Sequence, residues 1–299
     1  MKKTCALVMV FVTLLMTSNC SIPDNREKDL TVSVMSFNIR YATEHDGHNQ
    51  WNNRKTNAFG IIRNYSPDVI GLQEALRSQL DELHDALPLY GEIGVGRDGG
   101  ADGEYSAILY RTDRYNTDDS GTFWLSNTPD KPSRHWGNAC IRICTWARFV
   151  DRTSGRAFYL YNTHLDHESQ ISRERSVRLI VSRIQARKHK DRFILTGDFN
   201  AGEGNPAIMY LKGAELTGYI TPIPLVDSFR VLHPDDTEVG TFNAFAGITN
   251  GAKIDYVFIE PGTPVLDAAI VRTETEGRYP SDHFPVTARI SLESDRRTR

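Results

Sequence analysis

The sequence predicts an α/β fold in which β-sheets are covered by helices, carried by one domain over residues 30–294. Three observations lead there. Short β-rich runs recur from end to end of the chain, and segments with apolar residues at three- and four-residue steps are interspersed among them rather than collected in one half. No low-complexity linker, internal repeat or shift of composition marks a second domain in the 299 residues.

The elements follow in order. TVSVMSFNI (31–39) is a β-rich run, and the helix continuing through 58–64 begins near Trp51. Ser66-Pro67 introduces a buried strand, DVIGLQ, at 68–73. Leu76, Leu80, Leu83 and Leu87 give 75–86 a helical stripe. Runs at 89–95, 105–110, 122–125, 141–150 and 157–164 read as strands. The longest helix covers 168–188, with Ile171, Val177, Ile180, Val181 and Ile184 as its apolar stripe and its many arginines on a solvated face. Strands at 192–196, 253–259 and 285–290 complete the pattern.

The N-terminus reads as a targeting signal. Lys2 and Lys3 precede an apolar run from Ala6 to Met16 that is too short to span a bilayer, so residues 1–19 are set apart from the fold. Thr17-Ser18-Asn19-Cys20 places a cysteine where a lipoprotein signal would carry its acylated residue, and 20–29 would be a polar tether. The expectation is an exported protein, periplasmic or held at the outer membrane or cell surface by a lipid on Cys20. Cys140 and Cys144 lie four apart in one strand-like run, about 13 Å, beyond disulfide reach, and are expected to be buried thiols.

The formal charge is −3; cleavage after residue 19 removes Lys2 and Lys3 and leaves 33 basic against 38 acidic residues, or −5. That is a poor footprint for clamping long nucleic acid through its phosphates. The glycine-rich segment 91–103 lacks a following P-loop lysine and reads as a loop beside a substrate, not a nucleotide cradle.

The chemistry sits at strand ends. Asn38 closes VSVMSFN, Glu74 closes VIGLQE, His164 and Asp166 close FYLYNTHLD, and Asp198 and Asn200 close FILTGDFN. Asp255 opens DYVFI, and Asp282-His283 precede the last strand. Strand ends on one rim of a sheet converge, and that rim is where α/β proteins seat ligands. Oxygen and imidazole donors without cysteine suit a hard cation such as Mg²⁺ or Mn²⁺. Asp166 has an alternative reading as the cap of the helix that follows it.

Taken together, SFNIR, LQE, NTHLD, GDFN, IDYVF and SDHFP resemble, in order and across residues 31–290, the motif series of the endonuclease/exonuclease/phosphatase superfamily. The shorter segments VDSFR at 226–230 and YPSDH at 279–283 resemble those of abasic-site endonucleases and deadenylases. The resemblance implies a four-layer α/β sandwich, two packed mixed or mostly antiparallel sheets flanked by helices, as in deoxyribonuclease I. It also implies roles. Glu74 would be the principal metal ligand, with Asn38 and Asp282 beside it; Asp198 would position and deprotonate the attacking water, or hold a second metal with Asn200. Asn200 would donate to a phosphoryl oxygen, His283 would pair with Asp255, and His164 would contact the scissile phosphate.

The implied activity is Mg²⁺- or Mn²⁺-dependent hydrolysis of a phosphoester, as a phosphodiesterase or phosphatase outside the cytoplasm. Phosphorylated glycans, inositol phosphates, nucleotides and nucleic acid are candidate substrates, with Arg54, Arg97, Arg142 and Arg148 as possible suppliers of phosphate contacts. The alternatives are a nuclease and a binding lipoprotein that has lost catalysis. No protein partner is inferred. Trp51, Arg54, Tyr105 and Asn243 fall in segments bordering the implied cleft, Trp51 and Tyr105 as packing residues; His45, His48, His84, His135, His167, His189 and His233 read as surface or loop histidines.

Overall fold

The computed structural model describes residues 30–216 and 218–292, so the expected export segment, Cys20 and the expected tether lie outside the described residues. The chain runs β1 (Leu30–Asn38), α1 (Trp51–Tyr65), β2 (Val69–Gln73), α2 (Arg77–Ala86), β3 (Tyr90–Ile93), β4 (Ile108–Arg111), β5 (Tyr115–Trp124), β6 (Ile143–Asp151) and β7 (Ala157–His164). It continues through α3 (Gln170–Gln185), β8 (Arg192–Asp198), α4 (Pro206–Leu211), β9 (Val226–Asp227), α5 (Ser228–Leu232), β10 (Asp255–Ile259), β11 (Val265–Ile270) and β12 (Val286–Leu292).

The strands form two six-stranded mixed sheets, ordered β11-β12-β1-β2-β4-β3 and β5-β6-β7-β8-β10-β9. Alternation along the strands shows why they stack. On β1, Leu30, Val32 and Val34 enter a core shared with Phe158 and Leu160 of β7, Ile194 of β8 and Val257 of β10, while Met35 and Phe37 enter a second core against α1 and α2. Tyr159, Tyr161, Phe193 and Leu195 face the other way, into a third core against α3 and α4. Three apolar seams separate four layers. This is the α/β sandwich of the deoxyribonuclease I type.

Two parallel pairs position the chemistry. β1 and β2 are joined through α1, and β7 and β8 through α3, so each sheet delivers two C-terminal strand ends to one rim. On the inter-sheet face the series Val32, Val34, Ser36, Asn38 turns from apolar to polar as it reaches that rim, as does Phe158, Leu160, Asn162, His164. Beneath the rim the sheets are tied by amides: Gln73 Nε2 donates to Asn162 Oδ1 (2.7 Å), and Asn162 Nδ2 donates to Leu72 O (2.8 Å) and Ala107 O (2.9 Å). Gly71 leaves room for this cluster; a Cβ there would lie 2.3 Å from Thr196 Oγ1.

Several expectations need correction. β5 begins at Tyr115, not 122, because it is an edge strand whose exposed positions are Asn, Asp and Ser rather than β-formers. The edge strands β9 and β11 and the helices α4 and α5, each of two to six residues, are too short to show a period. The run at 105–110 becomes a strand only from Ile108, and Cys140 precedes β6 and is half-buried; both described cysteines are free. Ile171 leaves the α3 stripe, at 60% exposure, and Ser172 and Ser176 take the buried face beside Val177 and Ile180.

Candidate active site

The eight predicted residues come together in one cleft of about 930 Å³. Glu74, His164, Asp198, Asn200, Asp282 and His283 line it, Asn38 reaches it through Glu74 and Asp198, and Asp255 through His283.

Asp198 is the hub. It ends β8 on the inter-sheet face, with Asp255 opposite it in the antiparallel β8–β10 register and His164 beside it in the parallel β7–β8 register. Its Oδ2 lies 3.0 Å from Asn38 Nδ2, 3.4 Å from His164 Nε2 and 3.8 Å from His283 Nε2, and its Oδ1 accepts from Asn200 N (2.9 Å). Burial, with Asp255 close by, pushes its carboxyl well above the usual range.

The two histidines flanking it are set apart. Burial, reinforced by Arg142 and the other histidine, holds His164 well below the ordinary imidazole value, so its Nε2 is free to accept from Asn200 Nδ2 (3.0 Å). Burial acts on His283 in the same direction, but Asp255 and Asp198 outweigh it and raise it to about 10. His283 Nδ1–H donates to Asp255 Oδ2 (2.9 Å), which fixes its tautomer and aims Nε2 at Asp198. At neutral pH the site holds one neutral and one cationic imidazole.

Glu74 reaches the cleft by leaving the strand rule. In an unbroken strand it would follow Gln73 onto the opposite face, but its backbone is left-handed, at φ 62°. Its carboxylate accepts from Asn38 Nδ2 (2.9 Å) and Tyr41 N (3.2 Å). Asn200 turns similarly, at φ 47°. Arg40, gripped by Asp46, brings its guanidinium within 3.7 Å of Glu74 and 3.9 Å of Asp282.

The donor set fits a hard cation. Glu74, His164 and Asp198 can each present one ligand atom within 4.8 Å of the others, and the only sulfur among the cleft-lining residues is Cys140. The Arg40 guanidinium between Glu74 and Asp282 shows the same demand for positive charge. Asp282 connects to Glu74 through Arg40, and burial raises its carboxyl against the pull of His283.

Other expectations divide. Asp166 takes the capping alternative: its Oδ1 accepts from Ser169 N (2.8 Å) at the start of α3, and its Oδ2 from Ala139 N (2.9 Å). Arg148 pairs with Asp118 and Asp191, and Arg54 is fully buried among main-chain carbonyls; neither is among the cleft-lining residues. Arg97 and Arg142 do line it. Trp51 and Tyr105 are buried packing residues, and Asn243 N donates to Asp282 O (2.7 Å). The sequence reading missed Arg40, Tyr41, Glu104 and Phe242, all cleft residues; His167, read as a surface or loop histidine, is exposed and also lines the cleft. Only Arg40 and Tyr41 carried a signal, lying two and three residues beyond Asn38.

This fold and constellation define a class, and the comparisons agree with it. The endonuclease/exonuclease/phosphatase family model matches residues 35–283, and the chain belongs to that family of hydrolases. An endonuclease/exonuclease/phosphatase from Bacteroides vulgatus is 34% identical, with a TM-score of 0.80 over 89% of this chain and 100% of that one. A mannosyl-6-phosphatase from Bacteroides thetaiotaomicron is 32% identical, with a TM-score of 0.75 over 87% of this chain and 99% of its own. An uncharacterized protein of Acanthamoeba polyphaga mimivirus is 27% identical over 188 residues, 58% of this chain and 68% of that protein.

Proposed function

We propose that the protein is a Mg²⁺- or Mn²⁺-dependent phosphoester hydrolase that acts outside the cytoplasm on a small phosphorylated molecule, with a phosphorylated glycan as the favoured class. The observation that carries this reading is the Asp198 carboxylate, buried and proton-seeking, with an amide and two imidazoles converging on one of its oxygens. The likeness to a mannosyl-6-phosphatase over nearly the whole of both chains favours the substrate class. The cleft charge agrees: Arg40, Arg97, Arg142 and the His283 imidazolium are matched by Glu74, Glu104, Asp198 and Asp282, which is no track for a polyanion. Export and a lipid on Cys20 rest on the N-terminal pattern alone.

Glu74 would hold the cation with Asp198 or His164, and Asn38 and Asp282 at its margin. The cation, when bound, supplies polarisation of a phosphoryl oxygen and offsets charge on the leaving oxygen. The chain's own groups do the rest. Asp198 takes a proton from the attacking water as the new oxygen–phosphorus bond forms and the ester oxygen–phosphorus bond breaks, and the departing oxygen is protonated from solvent. His283, held cationic by Asp255, donates to a phosphoryl oxygen, while Asn200 Nδ2, bonded to His164 Nε2 and Leu165 O, holds the His164 ring in place. Asn38 holds Glu74 and Asp198 at fixed spacing through its one amide nitrogen.

The test is a substrate panel of sugar phosphates, inositol phosphates, nucleotides, p-nitrophenyl phosphates, RNA and plasmid DNA, with Mg²⁺ or Mn²⁺ and with EDTA. Cation-dependent release of phosphate from a small ester, abolished in Glu74→Ala, is the expected result. Turnover that survives EDTA, or full activity in Glu74→Ala, would overturn the mechanism.

A further inference from the structure

Past His164 the cleft runs into a recess of about 10 Å³, room for one water molecule. Arg97, Glu104, Arg142 and His164 line both spaces, so the recess is the inner end of the same cleft. Arg97 and Glu104 are held as a unit: Arg97 N donates to Glu104 O (3.0 Å), and Arg97 Nη1 donates to Glu104 Oε2 (2.7 Å). Trp124 Nε1 donates to Arg97 O (2.7 Å), which anchors this turn to β5 of the other sheet. Arg142 is 4% exposed; its Nη2 meets His167 Nδ1 (2.9 Å), and its buried Nε faces Asp166 Oδ2 at 3.7 Å.

These groups are not part of the hydrolytic set, and their chemistry restricts what lies beyond the phosphate. Glu104 neutralises Arg97 at 2.7 Å and Asp166 offsets Arg142 at 3.7 Å, so these groups hold no uncompensated positive charge for a second phosphate. A nucleobase needs an open ring face: Arg40 covers Tyr41 at 4.3 Å, which leaves Phe242, edge-on to His283 with ring centres 5.2 Å apart, as the one exposed carbocyclic ring among the cleft-lining residues. A carboxylate held beside a guanidinium offers an acceptor and donors along one edge. Neighbouring hydroxyls, each able to give and take a hydrogen bond, match it.

We propose that Arg97, Glu104 and Arg142 form the subsite for the leaving group, and that this group is a neutral polyhydroxy unit such as the hexose of a sugar phosphate. This rests on the reading of the cleft as a phosphoester hydrolase site and assigns its selectivity to residues apart from the metal. Glu104 accepts from two hydroxyls, Arg97 orients the carboxylate, and Arg142, which lines both the cleft and the recess, bounds the subsite.

The experiment compares kcat/KM with Mg²⁺ for a hexose 6-phosphate, a hexose 1,6-bisphosphate, a nucleoside 5′-monophosphate and p-nitrophenyl phosphate, in the wild-type chain and in Glu104→Gln. The wild type should turn over the hexose 6-phosphate and discriminate against the bisphosphate. In Glu104→Gln the ratio of hexose 6-phosphate to p-nitrophenyl phosphate kcat/KM should fall by about tenfold or more, mainly through KM, the scale of one lost charged hydrogen bond, and discrimination against the bisphosphate should relax. Arg97→Gln breaks the same pair from the other side and serves if Glu104→Gln does not fold. Equal losses on all substrates would reduce the pair to a structural role and overturn the proposal. So would a wild type that hydrolyses p-nitrophenyl phosphate or the nucleotide but no hexose phosphate, and that result leaves the hydrolase reading standing. No turnover of any ester with any cation would instead remove that reading itself.

Discussion

Arg54→Met tests how the two loops of the metal margin are held. Arg54 has no accessible surface, and its guanidinium donates to four main-chain carbonyls: Asn49 O (2.8 Å), Ile39 O (2.5 Å), Pro280 O (2.9 Å) and Arg40 O (2.8 Å). Ile39 and Arg40 follow Asn38, and Pro280 precedes Ser281, whose hydroxyl donates to Asn38 O (2.7 Å). One side chain therefore ties the Asn38 loop to the Asp282–His283 loop. Arg40 O keeps a second donor in Gln79 Nε2 (3.0 Å); the other three, left unpaired at about 1–3 kcal/mol each, set a ceiling of roughly 3–9 kcal/mol. Water following the shorter polar reach, and relief of the burial that lowers the Arg54 pKa to about 10, bring the net loss to about 3–5 kcal/mol. At roughly 2–4 °C per kcal/mol for a domain of this size, the melting temperature should fall by about 6–20 °C. Differential scanning fluorimetry with EDTA measures this, and the Mg²⁺ concentration giving half-maximal rate should rise by about tenfold or more in the same variant. A melting temperature within about 2 °C of wild type would refute the account of Arg54 as the staple of the two loops.

Asp198→Ala and His283→Ala should each lose at least about a hundredfold in kcat/KM, the scale of a positioned acid–base group; near-normal rates would remove those assignments. Asp255→Asn should lose about tenfold or more while circular dichroism stays native, because the carboxylate that fixes His283 Nδ1–H becomes an amide; rates equal to wild type would show that His283 is held by other contacts. In metal-free protein His283 takes up its proton more tightly folded than unfolded. Its stabilising contribution is complete below the ordinary value of about 6.5 and is lost as pH rises toward about 10. The melting temperature in EDTA should therefore decline across that window and decline less in His283→Asn; parallel curves for the two proteins would contradict the raised value.

The order of the motifs, the β-rich run of β1, the stripe of α2 and the polar residues at strand ends were all legible in one dimension, because each depends on residues near one another in the chain. Asp166 was ambiguous for the same reason: a carboxylate one turn before a helix serves equally as cap or as ligand until its neighbours are in place, and here those are Ser169 N and Ala139 N. Arg54 and Arg142 looked alike as free guanidinium groups, yet one is surrounded by carbonyls and the other opens on the cleft.

By itself, then, the sequence determined which residue types stand at the strand ends and in what order, since period and motif are local properties of the chain. Tertiary structure decided that Asn38 touches Asp198 across 160 positions and that Glu74 turns back into the cleft. It also set the two imidazoles in opposite charge states. Burial and the nearest charges fix a proton's affinity, and both come from segments that only the packing of one sheet on the other brings within a few ångströms.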